Sequence, residues 1–238
     1  MNDIKLLYKT LNIISSTKMD KVLLEPNDDG GTTVRGVDDD GRIIIFYDVN
    51  DLSLDVSCTI YSVRSLLSRF DLFDSLDAPD FEYELEKQDE TTAKKLHMQS
   101  KTTKVSYTFT SQDIISVPTI KLTPKMVGSI TFNKNLFKTM KNAVDSMRMS
   151  GSYKEKIQFR CKDNKIFMEL DDGMADRYVK EIAESKTENH WTHQWKTGSI
   201  ETLLREALKT KDKVQINVSE KGIAYIMVDY LEFMVAPE

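Results

Sequence analysis

Leu7-Tyr8-Lys9-Thr10-Leu11, near the start of the chain, returns as Leu136-Phe137-Lys138-Thr139-Met140 just past its midpoint. A second stretch echoes in the same way: Ser62-Val63-Arg64-Ser65-Leu66-Leu67 comes back as Ser199-Ile200-Glu201-Thr202-Leu203-Leu204. The two offsets, 129 and 137 residues, are close enough to mark one duplicated unit whose loops have drifted in length. Each echo lies in a stretch with helical spacing of its apolar residues, and strand-like runs follow each one. The expected architecture is therefore α+β: two similar domains, each with antiparallel sheets and two amphipathic helices on one face. The boundaries read as 1–111 for the first domain, 112–128 for a connector and 129–238 for the second domain.

Working outward from the first echo, Ile4, Leu7, Tyr8, Leu11 and Ile14 repeat at the spacing of one helical face, with Lys5, Lys9, Asn12 and Ser16 opposite. Strands are expected over Val22–Glu25, Thr32–Val37, Arg42–Val49 and Leu54–Tyr61, with turns at Pro26–Gly31 and Asp38–Gly41. Ser62 reads as the N-cap of a helix that turns Val63, Leu66, Leu67 and Phe70 inward. Phe81–Glu86, Lys94–Gln99 and Lys104–Thr110 complete a meander. Pro118, Pro124 and Gly128 then break the pattern, as a connector should. In the second half a strand over Ile130–Phe132 precedes a helix with Leu136, Met140, Val144 and Met147 inward. Strands follow over Lys156–Cys161, Lys165–Leu170 and Arg177–Ala183. Trp191–Trp195 leads into a last helix with Ile200, Leu203, Leu204, Ala207 and Leu208 inward. Val214–Val218, Ala224–Val228 and Glu232–Val235 close the chain.

The 238 residues, 40% apolar and 30% charged, suit either one large domain or two that each bury a core. The first residues, Met1-Asn2-Asp3-Ile4, lack the basic and apolar regions of a secretion signal, and no apolar run reaches the roughly 20 residues of a membrane span. A soluble, intracellular protein is expected. Cys58 and Cys161 stand in apolar runs of different halves and read as small buried hydrophobes.

A formal net charge of −5 argues by itself against a nucleic-acid partner. Its distribution argues the other way. Residues 3–19, 62–73, 133–149 and 198–211 hold twelve basic and five acidic residues, a net +7 that leaves −12 for the rest of the chain. Cationic helices on an acidic body make a directional field. Lys134, Lys138, Lys141, Asp145 and Arg148 form one stripe at steps of four and three.

The duplicated order, the basic stripes and a chain ending Tyr230-Leu231-Glu232-Phe233-Met234-Val235-Ala236-Pro237 together resemble the DNA sliding clamps of the two-domain type. These are proliferating cell nuclear antigen and the T-even phage clamps. The local signature is Phe233-Met234-Val235-Ala236-Pro237, two bulky residues and an aliphatic before Ala-Pro; the likeness in element order spans essentially the whole chain. It implies a non-enzymatic polymerase processivity factor without cofactor: a homotrimeric ring around duplex DNA that tethers a replicative DNA polymerase and is loaded by a clamp-loader ATPase. It implies no membrane partner. The compact chain, lacking an acidic tail, looks more viral than cellular, so its expected place is replicating DNA in the cytoplasm of a host cell, a phage-infected one on the viral reading.

Geometry agrees with three copies. Helices about 9 Å apart and about 10–12 Å thick, four per chain, give a hole of roughly 23 Å for three chains and roughly 12 Å for two. Only the wider hole admits a B-form duplex, whose major groove alone is about 12 Å across. The residues expected to face DNA are Lys5, Lys9, Arg64, Lys134, Lys138, Lys141, Arg148, Arg205 and Lys209. Subunits are expected to join by edge strands, as in the family, through Val105, Tyr107 and Phe109 of one half and Tyr178, Lys180 and Ile182 of the other. The resemblance further implies a pocket for short partner peptides, formed here by Val37, Ile43, Ile120, Leu122, Met234, Val235, Ala236 and Pro237.

His190 and His193, spaced three apart, lack an obvious third metal ligand, and the neighbouring Trp191 and Trp195 favour packing. Asp38-Asp39-Asp40-Gly41 and Asp171-Asp172-Gly173 read as turns rather than calcium loops. Phosphate-cradling, nucleophile-elbow and zinc-protease motifs are missing. The competing readings are a polymerase accessory subunit that does not encircle DNA, a protein-interaction scaffold without DNA, and an unrecognised enzyme.

Overall fold

The computed structural model describes residues 2–76, 78–115, 117–119, 125–149, 151–171, 176–185 and 190–238. Two compact units emerge, Met1–Asp40 with Ile44–Lys121, and Gly41–Ile43 with Leu122–Glu238.

In the first unit, helix α1 (Asn2–Ser16) buries Ile4, Leu7, Leu11 and Ile14, and strands β1 (Val22–Pro26), β2 (Thr32–Val37), β3 (Ile43–Val49) and β4 (Cys58–Ile60) follow. Helix α2 (Val63–Phe70) buries Val63, Leu66, Leu67 and Phe70. Its start is doubly secured. The Ser62 hydroxyl accepts the Ser65 N–H at 3.2 Å, and Asp20 accepts both the Ser62 hydroxyl and the Arg64 N–H. Helices α1 and α2 pack together, with Tyr8 edge-on to Phe70 and its hydroxyl donating to Asp71 at 2.8 Å. Strands β5 (Glu82–Lys87), β6 (Ala93–Gln99) and β7 (Lys104–Thr108) make an antiparallel meander.

The second unit has β8 (Met126–Asn133), α3 (Lys134–Met149), β9 (Lys156–Lys162), β10 (Lys165–Asp171), β11 (Arg177–Glu184), β12 (Trp191–Lys196), α4 (Thr197–Thr210), β13 (Lys213–Ser219), β14 (Ala224–Val228) and β15 (Leu231–Val235). Its strands lie side by side as β12-β9-β10-β11 and as β8-β13-β14-β15. The first unit shows β4-β1-β2-β3 and β5-β6-β7. Strand for strand, β4-β1-β2-β3 and β12-β9-β10-β11 are one permuted order, and β5-β6-β7 matches β13-β14-β15. The duplication read from two short echoes thus extends through the sheets. The fold is α+β and antiparallel throughout its named strands.

Two segments depart from expectation. The strand expected over Leu54–Tyr61 is only Cys58–Ile60. Before it, Ser57 is spent on an isolated parallel bridge to Thr92, exchanging bonds with Thr91 and Ala93, which turns the backbone away from β1. The strand expected at Ile130–Phe132 begins earlier, at Met126, because β13 supplies partners as far as Met126↔Ser219. Gly128 is tolerated there because the Trp191 indole occupies the space a side chain would need, with Nε1 only 2.6 Å from an ideal Cβ. Of Asp171-Asp172-Gly173, the last two residues lie outside the described set.

Cys58 and Cys161 are both buried and unpaired, and burial pushes the Cys58 thiol up to about 12. His193 stacks on Trp191 at 6.0 Å and sits 6.1 Å from Trp195, a packing role. Trp195, fully buried against Phe159, donates its indole N–H to the Gly222 carbonyl at 2.8 Å. Gly222 has φ +78°, and an added Cβ would lie 2.6 Å from His193 Nδ1. Gly222→Ala is therefore expected to destabilise the protein by about 1–3 kcal/mol, from left-handed strain and displacement of His193. Thermal melts measure it; an unchanged Tm refutes this account of the turn.

Candidate nucleic-acid interface

Burying the apolar stripe of a helix decides where its other face points. In α1, Ile4, Leu7, Leu11 and Ile14 are buried while Lys5 and Lys9 are exposed. In α3, Met140, Ala143, Val144 and Met147 are buried and Lys134, Lys138, Lys141 and Arg148 exposed. The repeat offset of 129 carries Lys5 onto Lys134 and Lys9 onto Lys138, so both units expose the same cationic positions. The supporting helices contribute Arg64 from α2 and Arg205 and Lys209 from α4, all exposed. Side chain by side chain, every residue expected to face DNA projects into solvent from a helix.

Their electrostatic states differ. Among the described residues no carboxylate lies within ion-pair distance of Arg64, Lys138 or Lys141. Lys134 stands 3.5 Å from Asp212 and Lys209 stands 2.6 Å from Glu206. Arg205 reaches Glu201 at 3.3 Å. Arg148 is the most committed: Nε and Nη2 grip Glu155 in a fork at 2.7 and 2.8 Å, and Nη1 lies 3.4 Å from Asp145 and 3.5 Å from Glu201. The Arg148 fork holds the Glu155 carboxyl below the ordinary carboxylate range, against the opposing effect of burial. Sequence reasoning placed Arg148 on the stripe and missed this bond. Glu155 lies beyond the helix end, so only the fold brings it back.

The expected subunit edges are strands at the ends of their sheets. β7 pairs only with β6, and β11 pairs only with β10, among the described residues. Tyr107 on β7 and Phe109 just past its end are buried and edge-to-face, while Val105 is half-buried. Tyr107 packs under the Arg69 guanidinium. Along β11, Tyr178 and Ile182 are half-buried and Lys180 is exposed. What these edges offer a partner is chiefly their open backbone.

The residues expected to hold peptides are spread over different environments. Ile43, Met234 and Val235 are buried, Ala236 and Pro237 are half-exposed, and Val37 is half-buried on β2. Ile120 and Leu122 lie outside the described residues.

No protein-family model and no curated protein matches the sequence. Solved structures match over nearly the full chain. Proliferating cellular nuclear antigen from Entamoeba histolytica aligns with 98% of this chain and 95% of its own, at TM-score 0.64 and 15% identity. PCNA of A. fulgidus, solved bound to the C-terminal region of FEN-1, aligns with 98% of this chain and 95% of its own, at TM-score 0.62 and 12% identity. The beta subunit of DNA polymerase III from Thermotoga maritima aligns with 99% of this chain but 64% of its own, at TM-score 0.66 and 12% identity. The fold is that of a DNA sliding clamp. At these identities the likeness resides in backbone arrangement, which explains why so few residues outside the helix echoes and the terminal motif point to it.

The Arg148–Glu155 bond has a pH signature. A carboxyl whose pKa is lowered on folding adds stability above its ordinary value of 4.5, and that stability is lost as pH falls through the folded value. Glu155→Gln is expected to lower Tm at pH 7 and to flatten the acid limb of the Tm–pH curve below about 4.5. An acid limb identical to that of the unaltered protein sinks the assignment.

Proposed function

We propose that the chain is a DNA polymerase processivity factor that closes into a homotrimeric ring around duplex DNA. The supporting observation is that both repeated units of a clamp fold expose lysines at matched positions, Lys5 with Lys134 and Lys9 with Lys138, opposite buried apolar faces. Within the helix bounds, ten basic residues stand against four acidic ones. Such faces attract phosphates without reading sequence and hold no base-specific grip, so a closed ring slides. The acidic remainder of the surface disfavours DNA elsewhere. Arg64, Lys138 and Lys141, with no carboxylate within ion-pair distance among the described residues, carry the largest share of this attraction. Arg148, held by Glu155, contributes least.

Ring closure in this reading runs through the open edges of β7 and β11, where each copy offers unpaired backbone to the next. Protein partners, among them a replicative polymerase and a clamp-loader ATPase, dock in this reading near Ile43 and Met234–Pro237 of the second unit. Peptide docking has a parallel in the A. fulgidus relative, solved with the C-terminal region of FEN-1. The clamp tethers rather than catalyses, and acts in solution at replicating DNA. Among the described residues no helix is long and apolar enough to cross a membrane.

The reading is tested by topology. A loaded ring stays on nicked circular DNA and is lost when the circle is cut to a linear form. Lys138→Glu with Lys141→Glu removes two phosphate contacts per chain, each worth about 0.9 in the slope of log affinity against log salt. The variant is expected to keep its sedimentation mass of three chains while losing most polymerase stimulation. Undiminished stimulation by a folded double variant contradicts the DNA role. A chain that sediments as a monomer at every attainable concentration contradicts the ring.

A further inference from the structure

The duplicated sheets are completed differently in the two units. In the second, β8 lies along β13, and four strands contribute to one rung of fully buried side chains: Ile130, Ile216, Ile226 and Phe233. The matching rung of the first unit is Leu85, Leu96 and Tyr107, across β5, β6 and β7. Among the described residues it has no fourth member, because β5 pairs with β6 alone. By the 129-residue offset, Phe132 and Asn133 at the end of β8 correspond to Asp3 and Ile4, which are wound into α1. Burial reflects the difference. Val214 and Ile216 of β13 are 3% and 0% exposed, whereas the matching places on β5 hold Tyr83, 39% exposed, and half-buried Leu85.

Beside this edge lies a cavity of about 250 Å³ whose lining includes Ile4, Leu24, Ile60, Leu85, Leu96 and Phe109. An apolar cavity of roughly 150 Å³ already holds a benzene ring, so this one admits a phenylalanine side chain with room beyond it. In the second unit, Ile130 and Phe132 are the fully buried side chains that β8 places at the corresponding position. The surroundings of the cavity are acidic. Exposed Glu82 and Glu84 alternate with Tyr83 and Leu85 along β5, and exposed Asp55 and half-exposed Asp3 line the cavity. Among the described residues no cation lies within ion-pair distance of any of these four carboxylates. Burial and the Asp3 charge together push the Tyr83 phenol above its ordinary 10.0, which sets Asp3 beside the strand. The open edge offers unpaired backbone, the cavity takes side chains two residues apart, and the carboxylates favour positive charge.

The geometry points to a strand-acceptor site on β5 for an extended segment of a partner protein, with apolar residues at alternate positions and lysine or arginine between them. The segment runs antiparallel to β5, as β8 does to β13, and seats one apolar side chain opposite Leu85 and the next opposite Tyr83. A second copy of this chain is a poor occupant, because pairing β5 with itself sets Glu82 and Glu84 against like charges. None of the site's residues belongs to the cationic set or to the docking region near Ile43 and Met234–Pro237. The other edge of the same sheet, β7, stays open for ring closure. The site stands or falls without the DNA reading, because its test contains no DNA.

The probe is a fluorescein-labelled Gly-Lys-Ile-Lys-Phe-Lys peptide with an amidated end, read by anisotropy against the full chain at low ionic strength. Its two apolar residues copy the spacing of Ile130 and Phe132. A control peptide with serine in place of both carries the same charge and is expected to bind about tenfold more weakly, a loss set by the buried apolar area. Tyr83→Lys, at an exposed position, puts a cation at the acceptor edge and is expected to weaken the probe about tenfold with Tm unchanged. Hydrogen exchange on the unaltered protein supplies a reading independent of any variant. Saturating probe is expected to slow exchange of alternate amides along Glu82–Lys87, as an added antiparallel strand does. Equal binding of the two peptides, undiminished binding by Tyr83→Lys, or unchanged exchange along β5 overturns the proposal. An association between copies that Tyr83→Lys abolishes overturns it as well, because it gives the edge to a second copy.

Discussion

The cationic faces of this chain depend on four helices each burying one apolar stripe. Once Ile4, Leu7, Leu11 and Ile14 are committed to the core of one unit, and Met140, Val144 and Met147 to that of the other, the residues between them have no freedom of direction. A helix turns 100° per residue, so a lysine three or four positions from its neighbour in the same stripe emerges on the same side. The charge pattern is thus a by-product of burial. The same stripe that stabilises each unit by removing apolar surface from water also aims the cations. Duplication then produces a second surface of the same kind from one solution to the packing problem.

The cations so aimed are not equivalent, and the difference lies in their neighbours rather than their exposure. Lys138 and Lys141 are exposed and have no carboxylate within ion-pair distance among the described residues, so their charge is available to a polyanion at little desolvation cost. Arg148 stands on the same stripe but its fork is filled by Glu155, and transferring it to a phosphate means breaking a bidentate pair. A surface that is positive on average yet locally neutralised has weak, distributed attraction for DNA. Weak attraction is what a sliding contact requires, since a deep electrostatic well at any position would arrest it.

The end of the chain shows the opposite arrangement. There two cations are organised around one carboxylate, with backbone groups filling the remaining valences. Those contacts are made within the chain, whereas Lys138 and Lys141 have no ion-pair partner among the described residues.

Much of this was legible in the sequence because it depends on local periodicity. The positions of the four helices, the Ser62 cap, most strands and the outward direction of each named lysine and arginine follow from spacing of three and four, or of two, along a continuous stretch. The repeat and the Ala-Pro ending pointed to the clamp fold for the same reason: both are patterns along the chain. What the tertiary structure alone decided are relations between distant residues. Glu155 capturing Arg148, Trp191 filling the space beside Gly128, and Arg42 meeting Glu238 across almost the whole length of the sequence are examples. Linear periodicity carries the direction in which a side chain leaves its own element. It carries no information about which distant side chain waits there, because that is set by how sheets and loops fold back in three dimensions.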